Sequence, residues 1–270
     1  MHYTCMHGAG NSFVIIREPC RDNTSEDLGV LARRLCTRFH CDGMIAVAPA
    51  EGADFGMLFY NADGSLGEMC GNGARCLARY GVEHGLAPDP EHIRIRATAG
   101  LVLARRITAE QYEIRLNDPS VVDLNRRAPI AGGSVSCAYV ELGDPGIPHA
   151  VTEVRPSAFE DLAVLRERGR ALRFSPAFPK GANVSFICRT GEHRVRAITF
   201  ERGVEDFTLA CGTGCGAIAL TQILAGKLPE GRVTIDMPGG ELSVTLRRTD
   251  ESVTDLLLTG PTAVTAEGEL

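Results

Sequence analysis

Lysine is nearly missing from this chain: Lys180 and Lys227 are the only two in 270 residues. A pyridoxal phosphate enzyme needs a lysine for its Schiff base. Lys180 follows Pro179, Lys227 lies in a Gly-Lys-Leu-Pro stretch, and neither has a phosphate-binding glycine loop beside it. The residues therefore argue against that cofactor. Long apolar runs are missing too. The longest, around Ala217 to Ala225, is too short to span a bilayer, so no membrane role is expected. The opening Met1-His2-Tyr3-Thr4-Cys5 has no basic segment followed by an apolar run, so no secretory signal is expected. Positive charge is not in excess: the net charge is −6, which gives a nucleic-acid partner no electrostatic support. Ten cysteines are present, yet no two are spaced Cys-x-x-Cys, which argues against a zinc ribbon or a thioredoxin-like site. Without a signal peptide they read as reduced thiols of a cytoplasmic protein. Cys20, Cys36, Cys137 and Cys188 read as small buried hydrophobes.

What the chain does have is the sequence Cys-Gly-x-Gly, twice. Cys70-Gly71-Asn72-Gly73 and Cys211-Gly212-Thr213-Gly214 each open a predicted helix. A helix start offers unpaired N–H groups and the positive end of a dipole. A cysteine there is expected to have a lowered pKa, and glycines let a ligand approach the backbone. Two such devices predict two thiols serving one anionic substrate, one taking a proton from a carbon and the other returning it to the opposite face. The run Gly212-x-Gly214-x-x-Ala217 also fits a dinucleotide fingerprint, but no sustained βαβ alternation surrounds it.

Short β-rich runs recur along the chain, among them Ser12–Ile16, Met44–Ala48, Phe55–Tyr60, Ile93–Ala97, Ser134–Leu142, Asn183–Cys188 and Val195–Phe200. Helices are predicted over 25–38, capped by Thr24-Ser25-Glu26-Asp27, and over 157–169, opened by Ser157-Ala158-Phe159-Glu160. Two more follow Cys70, to about Gly85, and Cys211, to Gly226; the latter is apolar nearly all round, as for a buried helix. The duplication extends beyond the motif. Phe59 and Phe200 each lie eleven residues before their cysteine, and Gly100 and Gly240 follow at thirty and twenty-nine. Two pseudo-equivalent domains are expected, joined near Asn117-Asp118-Pro119.

The proposed chemistry is demanding. Enzymes lower barriers by about 8–23 kcal/mol. One helix terminus supplies at most about 2 kcal/mol in partly buried geometry. Removing an amino acid's α-proton without a cofactor therefore needs two termini, several N–H donors and a dry site acting together.

Further segments give the chain a family likeness. Met6-His7-Gly8-Ala9-Gly10-Asn11-Ser12-Phe13, Phe59-Tyr60-Asn61-Ala62-Asp63-Gly64-Ser65, Cys70 to Arg75, Pro148-His149-Ala150, Asn183-Val184-Ser185-Phe186, and Glu201-Arg202-Gly203 leading to Ala210-Cys211-Gly212-Thr213-Gly214 occur in that order. Over nearly its whole length the chain resembles the diaminopimelate epimerases. The resemblance implies an α+β fold of two pseudo-symmetric β-barrel-like domains, each around a central helix. It places 1–117 in the first, with 261–270 returning to it, and 118–260 in the second. It implies an isomerase needing neither cofactor nor metal, which interconverts LL- and meso-diaminopimelate on the route to lysine and peptidoglycan precursors. A small amino-acid substrate and a homodimer are implied with it. Cys70 and Cys211 match the acid/base pair, and His149 and Glu201 match groups that tune their pKa values. Asn11, Asn61, Gly71, Asn72, Asn183, Glu201, Arg202, Gly212 and Thr213 match the substrate-binding set. Arg202 suits a distal carboxylate, which its planar fork can bind bidentately.

The chain departs from the family pattern at three places. Ile147, in Gly143-Asp144-Pro145-Gly146-Ile147-Pro148-His149, replaces a substrate-binding asparagine. Gly43 stands where some members have glutamine, and Ser12 replaces a frequent aspartate. A related racemase acting on another amino acid is one alternative. A thiol redox protein using Cys70 with Cys76, or Cys211 with Cys215, is another. A non-catalytic amino-acid-binding module is a third.

Overall fold

A computed structural model describes residues 1–17, 28–67, 69–249 and 253–270. Cys20 and the expected cap at Thr24–Asp27 lie outside the described residues. The chain divides into two compact units: Met1–Arg115 with Thr259–Leu270, and Leu116–Leu258. Both are mixed α+β.

In the first unit, β1 (His2–Gly8) and β2 (Asn11–Arg17) form a hairpin. Helix α1 (Leu28–Phe39) crosses to β3 (Gly43–Ala48), parallel to β2. Next come β4 (Phe55–Asn61), antiparallel to β3, and the two-residue β5 (Leu66–Gly67) paired with β4. Helix α2 (Gly71–Glu83) then crosses to β6 (Ile93–Ala97), parallel to β4. β7 (Gly100–Arg106) and β8 (Gln111–Arg115) continue the sheet antiparallel. Alternation explains strands such as β6, in which Ile93, Ile95 and Ala97 are buried while Arg94 and Arg96 face out. Helix α2 packs against β1, β2, β4, β6, β7 and β8, which makes it the unit's central helix.

The second unit repeats this order. β9 (Pro119–Ile130) pairs with β10 (Gly133–Leu142), which forms a hairpin with β11 (Ile147–Glu153). Helix α3 (Leu162–Arg173) crosses to β12 (Asn183–Gly191), parallel to β11. β13 (Arg194–Glu201) and the short β14 (Asp206–Thr208) follow, antiparallel. Helix α4 (Gly212–Leu224) crosses to β15 (Val233–Met237), parallel to β13, and β16 (Gly240–Arg248) closes a hairpin on β15. β17 (Val253–Pro261) follows, and β18 (Ala263–Glu269) lies antiparallel to β1 in the first unit. Strand, helix and pairing thus recur in one order, hairpin, parallel crossover, hairpin, parallel crossover, in both units. Helix α4 packs on β9, β10, β11, β12 and β16, and eleven of its residues are buried. This is the buried helix that its all-round apolarity predicts.

One helix starts later than its sequence suggests. Ser157-Ala158-Phe159-Glu160 is not a capping box: Pro156–Glu160 is a 3-10 turn, and α3 begins at Leu162. The cap is Asp161, whose carboxylate accepts from the Val164 N–H at 3.1 Å. Pro156 suits the first position of the 3-10 turn, and Phe159 anchors that turn in the core. Among the described residues, no helix is long and apolar enough to cross a membrane.

Candidate active site

Each Cys-Gly-x-Gly motif forms a helix N-terminus, one per unit. In the first unit Cys70 is the N-cap of α2, in extended conformation with φ −129° and ψ 116°. Its Sγ accepts from the Gly73 N–H at 3.5 Å, and its carbonyl accepts from the Ala74 N–H at 2.8 Å. The N–H groups of Gly71 and Asn72 are the helix's first two, and they point beyond its end. Gly73 sits in tight packing: a Cβ there would lie 3.1 Å from Ile45 Cδ1 and 3.3 Å from Met57 Cε. Gly8 serves the same end, since a Cβ would meet the Asn72 carbonyl at 3.0 Å. β1 and β3 can therefore close on the helix start.

A polar chain braces this end. Asn72 Nδ2 donates to Asn11 Oδ1 at 2.7 Å, and Arg75 Nη2 donates to Asn72 Oδ1 at 2.8 Å. Arg75 is wholly buried. Asn11 in turn donates to Asp42 Oδ2 at 3.1 Å, the same oxygen that accepts from the Ser12 N–H and hydroxyl. Asn11 and Asn72 are thus brought together, held by two residues given no role in the sequence reading. Arg75 carried a signal: a charged side chain three residues after Asn72 on a buried helix face. Asp42 carried none, for its partners come from another strand. Asn61 is exposed at the end of β4, where its amide donates to Ser65 Oγ at 2.9 Å.

The glycine at 43 has a visible cause. A Cβ at Gly43 would lie 2.5 Å from Phe59 Cε2, and one at Gly67 would lie 2.5 Å from Phe59 Cδ1. The Phe59 ring fills the space that a longer side chain at 43 would need.

In the second unit Cys211 is the N-cap of α4, with φ −124° and ψ 104°. It is 3% exposed, and its Sγ lies 3.8 Å from Thr213 Oγ1. Gly214 lets the thiol fold over the helix start: a Cβ there would sit 3.1 Å from the Cys211 Sγ. The expected lowering of pKa does not occur at this cysteine. Burial, then the adjacent Glu201 carboxylate, push the Cys211 thiol well above its usual value. The Gly214 N–H and the Thr213 hydroxyl pull the other way and are outweighed. Desolvation of a fully buried group shifts a pKa by up to about 3–5 units, worth more than a helix dipole. Glu201 is itself raised, by burial, with Thr208 and Cys211 partly offsetting.

His149 is fully buried, and neither ring nitrogen has a hydrogen-bond partner. Burial, and secondarily Arg202, bring its pKa down to about 3, so the ring is neutral. It lies beside Asn183 in the β11–β12 register. Asn183 donates to the Pro148 carbonyl at 3.3 Å, and its Oδ1 accepts from the Arg202 N–H at 2.8 Å. Arg202 Nη1 reaches the Lys180 carbonyl at 3.2 Å. Lys180 is held by Glu141 at 2.7 Å, and Glu141 also accepts from the Tyr139 hydroxyl at 2.7 Å. Asn183, Glu201, Arg202, Cys211, Gly212 and Thr213 therefore belong to one unit, with His149. Both lysines are committed to ion pairs, Lys180 with Glu141 and Lys227 with Glu153.

The arrangement of each unit suits acid/base work by one thiol beside a helix start that can take a carboxylate. The partners named for a redox reading are poorly placed for one. Cys76 is wholly buried and its pKa is pushed up to about 12, mainly by burial; Cys215 is wholly buried in α4.

The sequence profile of the family described as diaminopimelate epimerase matches residues 3–119 and 143–264. A diaminopimelate epimerase of Chlorobaculum tepidum is 34% identical over 98% of this chain and 99% of its own. One of a Hydrogenobaculum species is 35% identical over 100% and 98%. Among solved structures, a Bacillus anthracis phenazine biosynthesis protein of the PhzF family superposes with a TM-score of 0.77 at 14% identity, covering 100% of this chain and 98% of that one. A probable proline racemase of Agrobacterium radiobacter superposes with a TM-score of 0.72 at 17% identity, covering 100% and 92%. These last two share the fold.

Proposed function

Since the chain belongs to the diaminopimelate epimerase family and is an isomerase, we propose that it interconverts LL- and meso-diaminopimelate, with Cys70 and Cys211 as the two proton carriers. The observation that carries the mechanism is the repeated helix start, with one N-cap thiol in each unit. One thiolate takes the α-proton. Negative charge then moves onto the substrate carboxylate, which the N–H groups of Gly71, Asn72, Gly212 and Thr213 stabilise. The other thiol delivers its proton to the opposite face. The two sulfurs thereby exchange protonation states, and the reverse reaction, or exchange with solvent, resets them. Burial and Glu201 favour the protonated form of Cys211, which suits that thiol to the acid role.

Arg202 and Asn183, with Asn11 and Asn61, hold the distal amino-acid head. Full-length similarity to proteins of one name favours this substrate over another amino acid. Under this reading the enzyme works in the cytoplasm as a homodimer, without metal or cofactor, on the route to lysine and peptidoglycan precursors.

Incubation with LL-diaminopimelate in deuterated water tests it. Solvent deuterium should enter the inverted carbon. Cys70→Ala and Cys211→Ala should each lose inversion by about 10²–10⁴-fold, the usual worth of an acid/base group, while still binding substrate. Residual α-proton exchange should favour opposite stereoisomers in the two variants. Wild-type inversion in either variant, or the same preference in both, would overturn the two-thiol assignment.

A further inference from the structure

Away from both helix starts, the end of α1 brings two thiols together. The helix stops at Phe39, and His40 takes a left-handed conformation with φ 51°. The Cys41 N–H then bonds back to the Cys36 carbonyl at 3.2 Å. This is the six-to-one closure of a Schellman motif, in which the residue after the left-handed one folds its side chain onto the last turn. Here that side chain is a thiol, and the residue it folds onto is a thiol too. Cys36 and Cys41 pack in the same apolar cluster, and each thiol bears on the ionisation of the other. Cys41 also donates to the Gly43 carbonyl at 3.4 Å. Cys36 is buried, at 4% exposed, whereas Cys41 is partly exposed. One member of the pair is therefore open to a small oxidant, and the other waits behind it.

We propose that Cys36 and Cys41 form a reversible oxidation site, a dithiol that hydroperoxides convert to a disulfide. The Cys41 thiolate attacks the peroxide, breaking the O–O bond to give a sulfenic acid and releasing the alcohol or water. The Cys36 sulfur then attacks the Cys41 sulfur, forming the S–S bond and expelling water. The two thiols lose two electrons and the peroxide gains them; a dithiol reductant reverses the change. The charge environment agrees with these roles. The neighbouring Cys36 thiol is the largest influence on Cys41 and lowers its pKa, with backbone N–H groups of Gly43 and Val14 helping; burial and the Asp42 carboxylate oppose them. Cys36 is raised, first by that same pairing and then by burial. The fully buried Cys76 and Cys211 are raised, chiefly by burial.

The site is also linked to the candidate active site. Asp42, next in the chain, is the acceptor that holds Asn11 and Ser12, and Asn11 holds Asn72 at the start of α2. A disulfide at Cys41 would constrain the residue directly before Asp42. The bond stands apart from the catalytic reading; its effect on substrate binding rests on the role proposed for Asn11.

Peptide mapping of the full chain after peroxide treatment and alkylation tests both. Trypsin cuts at Arg34, Arg38 and Arg75, so the bond must join Leu35–Arg38 to the peptide 39–75. That linked pair is expected in wild type, and it should vanish with reductant. Cys41→Ser should leave Cys36 alkylatable. Cys36→Ser should let a 1,3-diketone trap a sulfenic acid at Cys41. An oxidised sample in which Cys36 and Cys41 both remain alkylatable, or in which Cys41 is joined to neighbouring Cys5, overturns the assignment. In linked material whose map shows Cys70 and Cys211 alkylated, KM should rise severalfold with kcat little changed. An unchanged KM overturns the link to Asn11 and leaves the bond standing.

Discussion

His149 should make the protein lose stability in mild acid, by an amount the structure sets. Its ring is wholly buried, neither nitrogen is partnered, and its pKa is brought down to about 3. In the unfolded chain the same ring takes up its proton near 6.5. Between those two values the unfolded state binds a proton that the folded state refuses, so stability falls as pH falls. The contribution is fully present above the unfolded value. About 2 kcal/mol of it is gone by about pH 5, and about 4 kcal/mol by about pH 3, taking 1.36 kcal/mol per unit and allowing for the folded ring's own protonation at the lower value. Urea unfolding of wild type and His149→Gln over this range isolates the effect. The pH-independent cost of the substitution drops out when the two curves are subtracted. The difference should shrink by about 2 kcal/mol from about pH 7 to about pH 5, with wild type losing stability faster. Parallel curves, or a His149 ring signal that titrates near 6.5 in the native protein, would refute the reasoning.

Three further outcomes follow from contacts described above. Gly43→Ala should cost about 1–3 kcal/mol by overpacking against Phe59 and the Tyr60 carbonyl, and Phe59→Leu in the same chain should recover part of it in thermal unfolding. Asp42→Ala removes the common acceptor of Asn11 and Ser12 at an exposed site, so thermal stability should change by less than about 1 kcal/mol. Its KM for diaminopimelate should nonetheless rise, and an unaltered KM would count against Asn11 as a substrate ligand. Glu201→Gln removes the charge that opposes ionisation of Cys211. The thiol's alkylation profile should shift to lower pH; a shift upward would contradict the electrostatic assignment.

The parts of this molecule that local chemistry decides were readable from residues. The runs at Met44–Ala48 and Ile93–Ala97 are strands because β-branched and apolar side chains alternate or cluster there. The two cysteines that precede Gly-x-Gly cap helices, as their motif predicts. Strands specified by their partners were not readable. β9 carries Asp123, Arg126 and Arg127 in its middle, and β18 is largely exposed; their pairing comes from backbone bonds to β10 and β1. The pKa of Cys211 was misjudged for a similar reason. Its position at a helix start is a sequence feature, but its desolvation depends on what the rest of its unit packs over it. Ser157–Glu160 had the letters of a capping box, and Asp161 a few residues on took the role.

The pairing of β1 with β18 sets the order in which the chain can be assembled during synthesis. Leu116–Leu258 is one uninterrupted stretch, so the second unit has all its residues once they have left the ribosome. The first unit, though translated earlier, lacks Thr259–Leu270 until the end. Until then the β1 edge that receives β18 is an unpaired strand, the kind of surface on which nascent chains associate wrongly. At about 5–20 residues per second the wait lasts of the order of ten seconds. The half of the protein made first is thus the half completed last, and its exposed edge is where a chaperone would have most to protect.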